Sequence, residues 1–242
     1  MESVYVLGGL RTPIVTKNGK FKSLRPECFG AVVLQAIVQQ YGLETIDGIF
    51  CGNAVGTGGN ITRLMALEAG LAETVPACTV DMQCASAAAA LDIVFAKLAS
   101  GQGDLYIAGG IESSSLQPMR IYDPKDERYD VQTGGRYRTA QFSPGVLSPQ
   151  AMLEGAERTA QKEQVTRDEL DQWVRCSHQR AYAARESGVL QDIIVPIAGC
   201  RSDDGIHARM SQRLLDRLPP VLGPAALTTA GNACRINDGA AL

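Results

Sequence analysis

The chain has 242 residues, 45% of them hydrophobic, with 25 glycines and a formal net charge of -3. That length can bury a core without staples, and the interspersed charges leave no broad basic field, which argues against nucleic acid or an anionic membrane as partner. Its seven cysteines are odd in number, scattered and never in a C-x-x-C pair, so neither a disulfide framework nor a metal site is expected.

The N-terminal MESVYVLGG carries no basic flank, hydrophobic signal core or cleavage motif. No apolar run approaches the roughly 18 residues needed to span a bilayer, and a cytoplasmic location is expected. Strand-like and helix-like segments then alternate. VYVLGG reads as a strand, residues 28–41 as a helix, GIFCGNA as a strand, residues 61–69 as a helix, ACTVDM as a strand, residues 85–98 as a helix and DLYIAGGI as a strand. The alternation predicts α/β architecture with a parallel or mixed sheet and flanking helices. The glycine-rich GNAVGTGGN, residues 52–60, lacks the lysine and spacing of a phosphate loop and reads as a strand-to-helix connection. Glu112, at the end of the fourth strand, reads as a carboxylate that satisfies nearby backbone donors.

From residue 119 to 150 the composition turns polar without a sustained period, an excursion away from the sheet. Helices return over residues 152–162 and after Thr166, which stands three residues before Glu169 in capping-box spacing. Leu170, Trp173, Val174 and Ala181 are expected to line the buried side of that second helix, with His178 in a structural position beside them. The final ALTTAGNACRINDGAAL opens with a small-residue turn and enters a strand that stops at Leu242. An unfinished strand leaves unpaired backbone groups, so further protein is expected to follow or dock.

One stretch carries chemistry. In VDMQCASAAAALD, residues 80–92, Cys84 stands between a strand and a helix-forming alanine run. Unpaired N–H groups at a helix start carry partial positive charge and favour thiolate over thiol; they could also hold the oxygen of a thioester under attack. The small side chains after Cys84 fit a helix packed backbone to backbone at the centre of a layered fold. A free cysteine in such a place is equally a small buried residue.

The wider pattern resembles the thiolase family. VDMQCASAAAALD is similar to the segment around its acyl-accepting cysteine, AGGIESSS at residues 108–115 to its AGG-x-ES strand end, and TAGNACRINDGAA at residues 229–241 to its TAGNASG-x-NDGAA signature. Weaker echoes are RTP at residues 11–13, GNITRLMALEAGL at 59–71 and SHQRAYAA at 177–184. The resemblance implies an N-terminal α/β half over residues 1–118, an inserted loop domain over 119–222 and a return to the first half over 223–242.

It also implies an acyltransferase that makes or breaks a carbon–carbon bond by Claisen chemistry, with Cys84 holding the acyl group. Met152, Ala230 and Ala233 would contact coenzyme A, which enters as substrate, and no cofactor would be permanently bound. A homodimer, or a hetero-oligomer with a chain supplying the C-terminal half, is the implied assembly. Departures accompany the match. The family's GHP histidine and C-x-GGG cysteine have no counterpart, Ala151 replaces a common histidine, His207 an adenine-stacking arginine, and Cys234 and Arg235 a Ser-Gly pair. The chain alone is therefore expected to be nearly inactive. Two alternatives stand beside this one: a non-catalytic coenzyme A-binding or assembly subunit of a split thiolase, and a ketoacyl-synthase-like condensing enzyme.

Overall fold

Strand β2 (Gly48–Gly52) lies within a five-stranded sheet, parallel to both β3 (Ala77–Val80) and the central β4 (Tyr106–Ser113). The computed structural model describes residues 3–56, 59–138, 141–145 and 148–242. Strand β7 (Asn237–Ala241) returns antiparallel to β4 and pairs on its other side, also antiparallel, with β1 (Val15–Thr16), so the order is β1-β7-β4-β2-β3. The architecture is α/β with a mixed sheet.

Helices cover both faces. Along β4 the side chains alternate. Ile107 and Ile111 face an apolar core with Phe29 and Leu34 of α1 (Pro26–Tyr41) and Met65 of α2 (Ile61–Glu68), while Gly110 meets Ala87 of α3 (Ser86–Ala99) on the opposite face. Helix α1 starts with proline in its first turn and stops at Gly42, whose left-handed φ of 59° lets its N–H reach the Val38 carbonyl. Asn60 caps α2 by accepting the Arg63 N–H at 3.2 Å.

The chain divides into two compact units: Met1–Arg138, Gln191–Asp204 and Ile236–Leu242 form the first, Thr139–Leu190 and Gly205–Arg235 the second. These limits differ from the expected domain boundaries at 118/119 and 222/223. Residues 191–204 join the first unit because Arg11 donates its N–H to Ile193 at 2.8 Å and accepts that of Val195 at 2.8 Å. The Arg11 guanidinium also grips Asp203 through two bonds of 2.6 and 2.9 Å. The second unit contains α4 (Ala151–Lys162), α5 (Arg167–Glu186) and the short α6 (Gln212–Leu215).

Three expectations are corrected. VYVLGG forms no strand; Tyr5 and Val6 are 79% and 89% exposed. Leu10 exchanges both backbone bonds with Leu242, and among the described residues no backbone hydrogen bond reaches residues 4–8. The polar excursion contains a small hairpin, β5 (Arg120–Ile121) against β6 (Arg136–Tyr137), closed by stacked Tyr122 and Tyr137 rings 4.1 Å apart. Helix α3 is buried on one side only: Ser86, Ala90 and Val94 face the sheet, whereas Leu91 and Phe95 are exposed. Within the expected glycine-rich connection, Thr57 and Gly58 lie outside the described residues, as do Thr139, Ala140, Val146 and Leu147 in the polar excursion.

Burial by itself would raise the Asp203 carboxyl, but the Arg11 guanidinium and the Ile14 N–H outweigh it and hold the group below its ordinary range. Its stabilising contribution is therefore present above the unfolded value of about 3.9 and is lost as pH falls through the lower folded value. Asp203→Asn is expected to cost about 1–3 kcal/mol near pH 7. The gap from the parent should narrow below about pH 4, as read from urea unfolding at both pH values.

Candidate active site

Cys84 sits on the turn between β3 and α3. The backbone turns sharply there because Gln83 adopts a left-handed φ of 53°, an uncommon conformation for a residue with a side chain. Four bonds enforce it. Asp81 Oδ1 accepts the Gln83 N–H at 2.9 Å, and Ser86 Oγ accepts the Met82 N–H at 2.8 Å while donating to the Gln83 carbonyl at 2.6 Å. The Ala85 N–H closes the turn on the Met82 carbonyl at 3.1 Å. Ala85 is the N-cap of α3 and offers no side-chain cap, so Cys84 lies immediately before a helix start whose N–H groups lack a side-chain acceptor. Its side chain is exposed.

The helix start is pressed onto the sheet. A Cβ added at Gly52 would stand 2.5 Å from the Ala87 nitrogen, and one at Gly110 would stand 3.0 Å from the Ala87 Cβ. Ala87 therefore serves close packing at the sheet end and Ala90 is buried, whereas Ala85 and Ala88 are exposed, as Cys84 is. Glu112, on the neighbouring strand end, accepts from Asn53 Nδ2 at 2.9 Å and from the Ala54 and Val55 N–H groups at 2.8 and 3.2 Å. Desolvation pushes this carboxyl up and the Ala54 and Val55 bonds oppose the shift. Glu112 is a structural carboxylate, as expected.

The other predicted site residues fall in the second unit. Met152 opens α4 and is exposed, Ala230 is exposed and Ala233 half-buried on the turn after residue 228. Two buried carboxylates that sequence reasoning missed reach this turn. Glu157 of α4 accepts the Leu227 and Thr228 N–H groups, each at 2.9 Å, and the Thr228 hydroxyl at 2.6 Å. Asp171 of α5 accepts from Asn232 Nδ2 at 3.2 Å and from Arg167 Nε at 2.6 Å. A signal for Asp171 existed in its spacing four residues after Arg167, an ion pair on one helix face; Glu157 had none.

Helix α5 thus buries a charge where an apolar stripe was expected. Asp171 is 1% exposed and Trp173 71% exposed, because the neighbour of that face is a turn rich in backbone polar groups. The capping box is present, with Thr166 and Glu169 bonded reciprocally. His178 stands in a structural position, as expected. Its Nδ1 accepts the His207 N–H at 3.3 Å, its ring lies edge-on to that of His207 at 5.3 Å, and Arg235 reaches His207 Nε2 at 3.4 Å. Desolvation, His207 and Arg235 all lower the His178 pKa.

Among the described residues no group of three His, Cys, Asp or Glu side chains could hold a metal ion, and no helix is long and apolar enough to cross a membrane. A polar groove of about 690 Å³ lies beside Arg175 and an apolar one of about 570 Å³ beside Phe95; none of Cys84, Met152, Ala230 and Ala233 lines either.

The family model described as thiolase, N-terminal domain, matches residues 4–242. The chain belongs to the thiolase family. Among similar thiolase-family proteins is one provisionally named acetyl-CoA C-acetyltransferase VraB from Staphylococcus aureus, 32% identical over 248 residues, covering all of this chain and 65% of the relative. Its counterpart from Staphylococcus epidermidis is 33% identical over 248 residues, covering all of this chain and 64% of the relative. The crystal structure of the Bacillus anthracis acetyl-CoA acetyltransferase superposes with a TM-score of 0.86 at 29% identity, over 97% of this chain and 62% of that one. This thiolase-family chain therefore spans less than two thirds of the length of these relatives.

Two outcomes follow from the turn geometry. Ser86→Ala leaves the Met82 N–H without its acceptor and should cost about 1–2 kcal/mol in urea unfolding. Thiol alkylation of the folded chain, mapped by peptide mass, should label exposed Cys84 and spare buried Cys51, whose thiol burial pushes up to about 12.

Proposed function

We propose that this chain is the Cys84-bearing part of a thiolase-type acyl-CoA acyltransferase. The observation that carries the reading is the placement of Cys84, exposed on a rigid strand-to-helix turn directly before an uncapped helix start. In the first step Cys84 Sγ attacks the thioester carbonyl of an acyl-CoA; a carbon–sulfur bond to Cys84 forms, the one to coenzyme A breaks, and coenzyme A leaves as its thiolate. The oxygen of the tetrahedral intermediate would be held by the Cys84 N–H, since the Met82, Gln83, Ala85 and Ser86 N–H groups are bonded within the turn. In the second step acetyl-CoA, deprotonated at its methyl carbon, attacks the acyl-Cys84 carbonyl, forming the carbon–carbon bond and releasing Cys84. Thiolysis is the reverse.

Met152, Ala230 and Ala233 are the proposed coenzyme A contacts. Met152 and Ala230 are exposed and Ala233 is half-buried, and their apolar side chains suit the stem of an arm such as pantetheine. Coenzyme A enters as substrate and no permanent cofactor is required. The domain assignment of an α/β half, an inserted loop domain and a return belongs to this reading. So do a cytoplasmic location and a homodimer, or a hetero-oligomer with a chain supplying a second α/β half.

That second half enters because deprotonating acetyl-CoA needs a base. Among the described residues no side chain hydrogen-bonds to Cys84, and both histidines are engaged around Arg235. The same observation favours a second reading, a non-catalytic coenzyme A-binding or assembly subunit. A ketoacyl-synthase-like enzyme would instead take its acyl group from a carrier protein.

Intact mass after incubation with acetyl-CoA separates the possibilities. An acetyl adduct on the parent chain, absent from Cys84→Ser, is expected, with turnover restored only by a C-terminal thiolase half. No adduct in either setting, together with retained coenzyme A binding by Cys84→Ala, would leave the non-catalytic reading. Acylation from acyl carrier protein alone would indicate the condensing-enzyme alternative.

A further inference from the structure

The turn over residues 227–233 is held from within. All the strong acceptor positions of the Glu157 carboxylate are used: Oε1 takes the Leu227 N–H at 2.9 Å and Gln161 Nε2 at 3.0 Å, and Oε2 takes the Thr228 N–H at 2.9 Å and its hydroxyl at 2.6 Å. Glu157 is only 6% exposed. Asp171 acts through Asn232. By accepting from Asn232 Nδ2 at 3.2 Å it orients that amide, so that Asn232 Oδ1 faces the Thr229 N–H at 2.7 Å and Nδ2 also meets the Leu227 carbonyl at 3.0 Å. Arg167 fixes Asp171 in turn, and its other arm bonds the Leu215 carbonyl at 2.8 Å.

Packing completes the hold. A Cβ at Gly231 would stand 2.6 Å from Leu218 Cδ1 and 2.8 Å from Leu215 Cδ2, so the turn cannot rotate inward. Thr229, fully buried, accepts the Gly231 N–H on its hydroxyl at 3.2 Å. The polar side chains of the turn are thus consumed on the inner side. The Ala230 methyl is left exposed and that of Ala233 half-buried.

We infer that Glu157 and Asp171 are positioning residues for coenzyme A, two buried carboxylates from separate helices that clamp the 227–232 backbone so that the Ala230 and Ala233 methyls are presented to the apolar stem of its arm. This rests on the proposed role of Ala230 and Ala233. Neither carboxylate touches the ligand. Glu157 acts as an anion: desolvation would raise its carboxyl, but the Thr228 hydroxyl and the Leu227 and Thr228 N–H groups outweigh that and keep it below the ordinary range. A neutral amide in its place points one NH2 at a backbone N–H in either orientation, so a charge-removing change of the same shape should loosen the turn.

The test titrates the parent chain, Glu157→Gln, Asp171→Asn and the milder Thr228→Val with coenzyme A by calorimetry, alongside amide hydrogen exchange. Glu157→Gln and Asp171→Asn should each bind about tenfold more weakly, a change of about 1.4 kcal/mol. Amides of residues 227–233 should exchange faster while those of α5 keep their protection. Thr228→Val removes one of the four Glu157 bonds and should lie between, which keeps the comparison available if the carboxylate variants do not fold. A global rise in exchange, or unchanged affinity despite a loosened turn, would reject the positioning role alone. Absence of coenzyme A binding by the parent chain would reject the ligand reading and the positioning role with it, while the exchange pattern would still register the clamp.

Discussion

Between the first turn of α3 and the ends of β2 and β4 there is no room for a side chain. A Cβ at Gly52 would fall 2.5 Å from the Ala87 nitrogen, closer than real contacts allow. The helix start is consequently fixed against the sheet, and the five residues before it, 81–85, must complete the reversal from β3. Gln83 takes the strained left-handed φ, Ser86 and Asp81 tie the turn, and Cys84 is left outside. A nucleophile needs that combination of exposure and rigidity, since a displaced sulfur loses alignment with the carbonyl it attacks.

The two units use different means of cohesion. The first has an apolar core, with Phe21, Phe29, Leu34 and Ile49 fully buried, and its stability is chiefly hydrophobic. The second places Glu157 and Asp171 where such residues would otherwise stand. Buried charge is poor evidence for stability, because desolvation offsets much of the attraction. Its effect here is directional: each carboxylate accepts from particular N–H groups, and the 227–232 turn has one arrangement that satisfies them.

Local signals were legible where they act locally. The Thr166 capping box and the strands from residue 48 onward were readable from short stretches, because caps and alternation involve neighbours in the chain. Residues 4–8 read as a strand by composition, but a strand needs a partner at hydrogen-bonding distance, and among the described residues no backbone bond reaches them. The β5–β6 pair escaped notice since two-residue strands leave no period. Trp173 was assigned inward by hydrophobicity; the face beside it meets polar backbone, and Asp171 took the buried place.

The residues by themselves determined the family, the α/β alternation and which cysteine to watch, since motif order and side-chain size are written in the chain. Only the tertiary structure decided that Cys84 is presented rather than packed, and that Glu157 and Asp171 converge on one turn. Those outcomes depend on groups up to 71 positions apart in the chain. Hydrogen bonds and close packing at such separations leave no period or spacing in the sequence, and arise only once the backbone has brought the elements together.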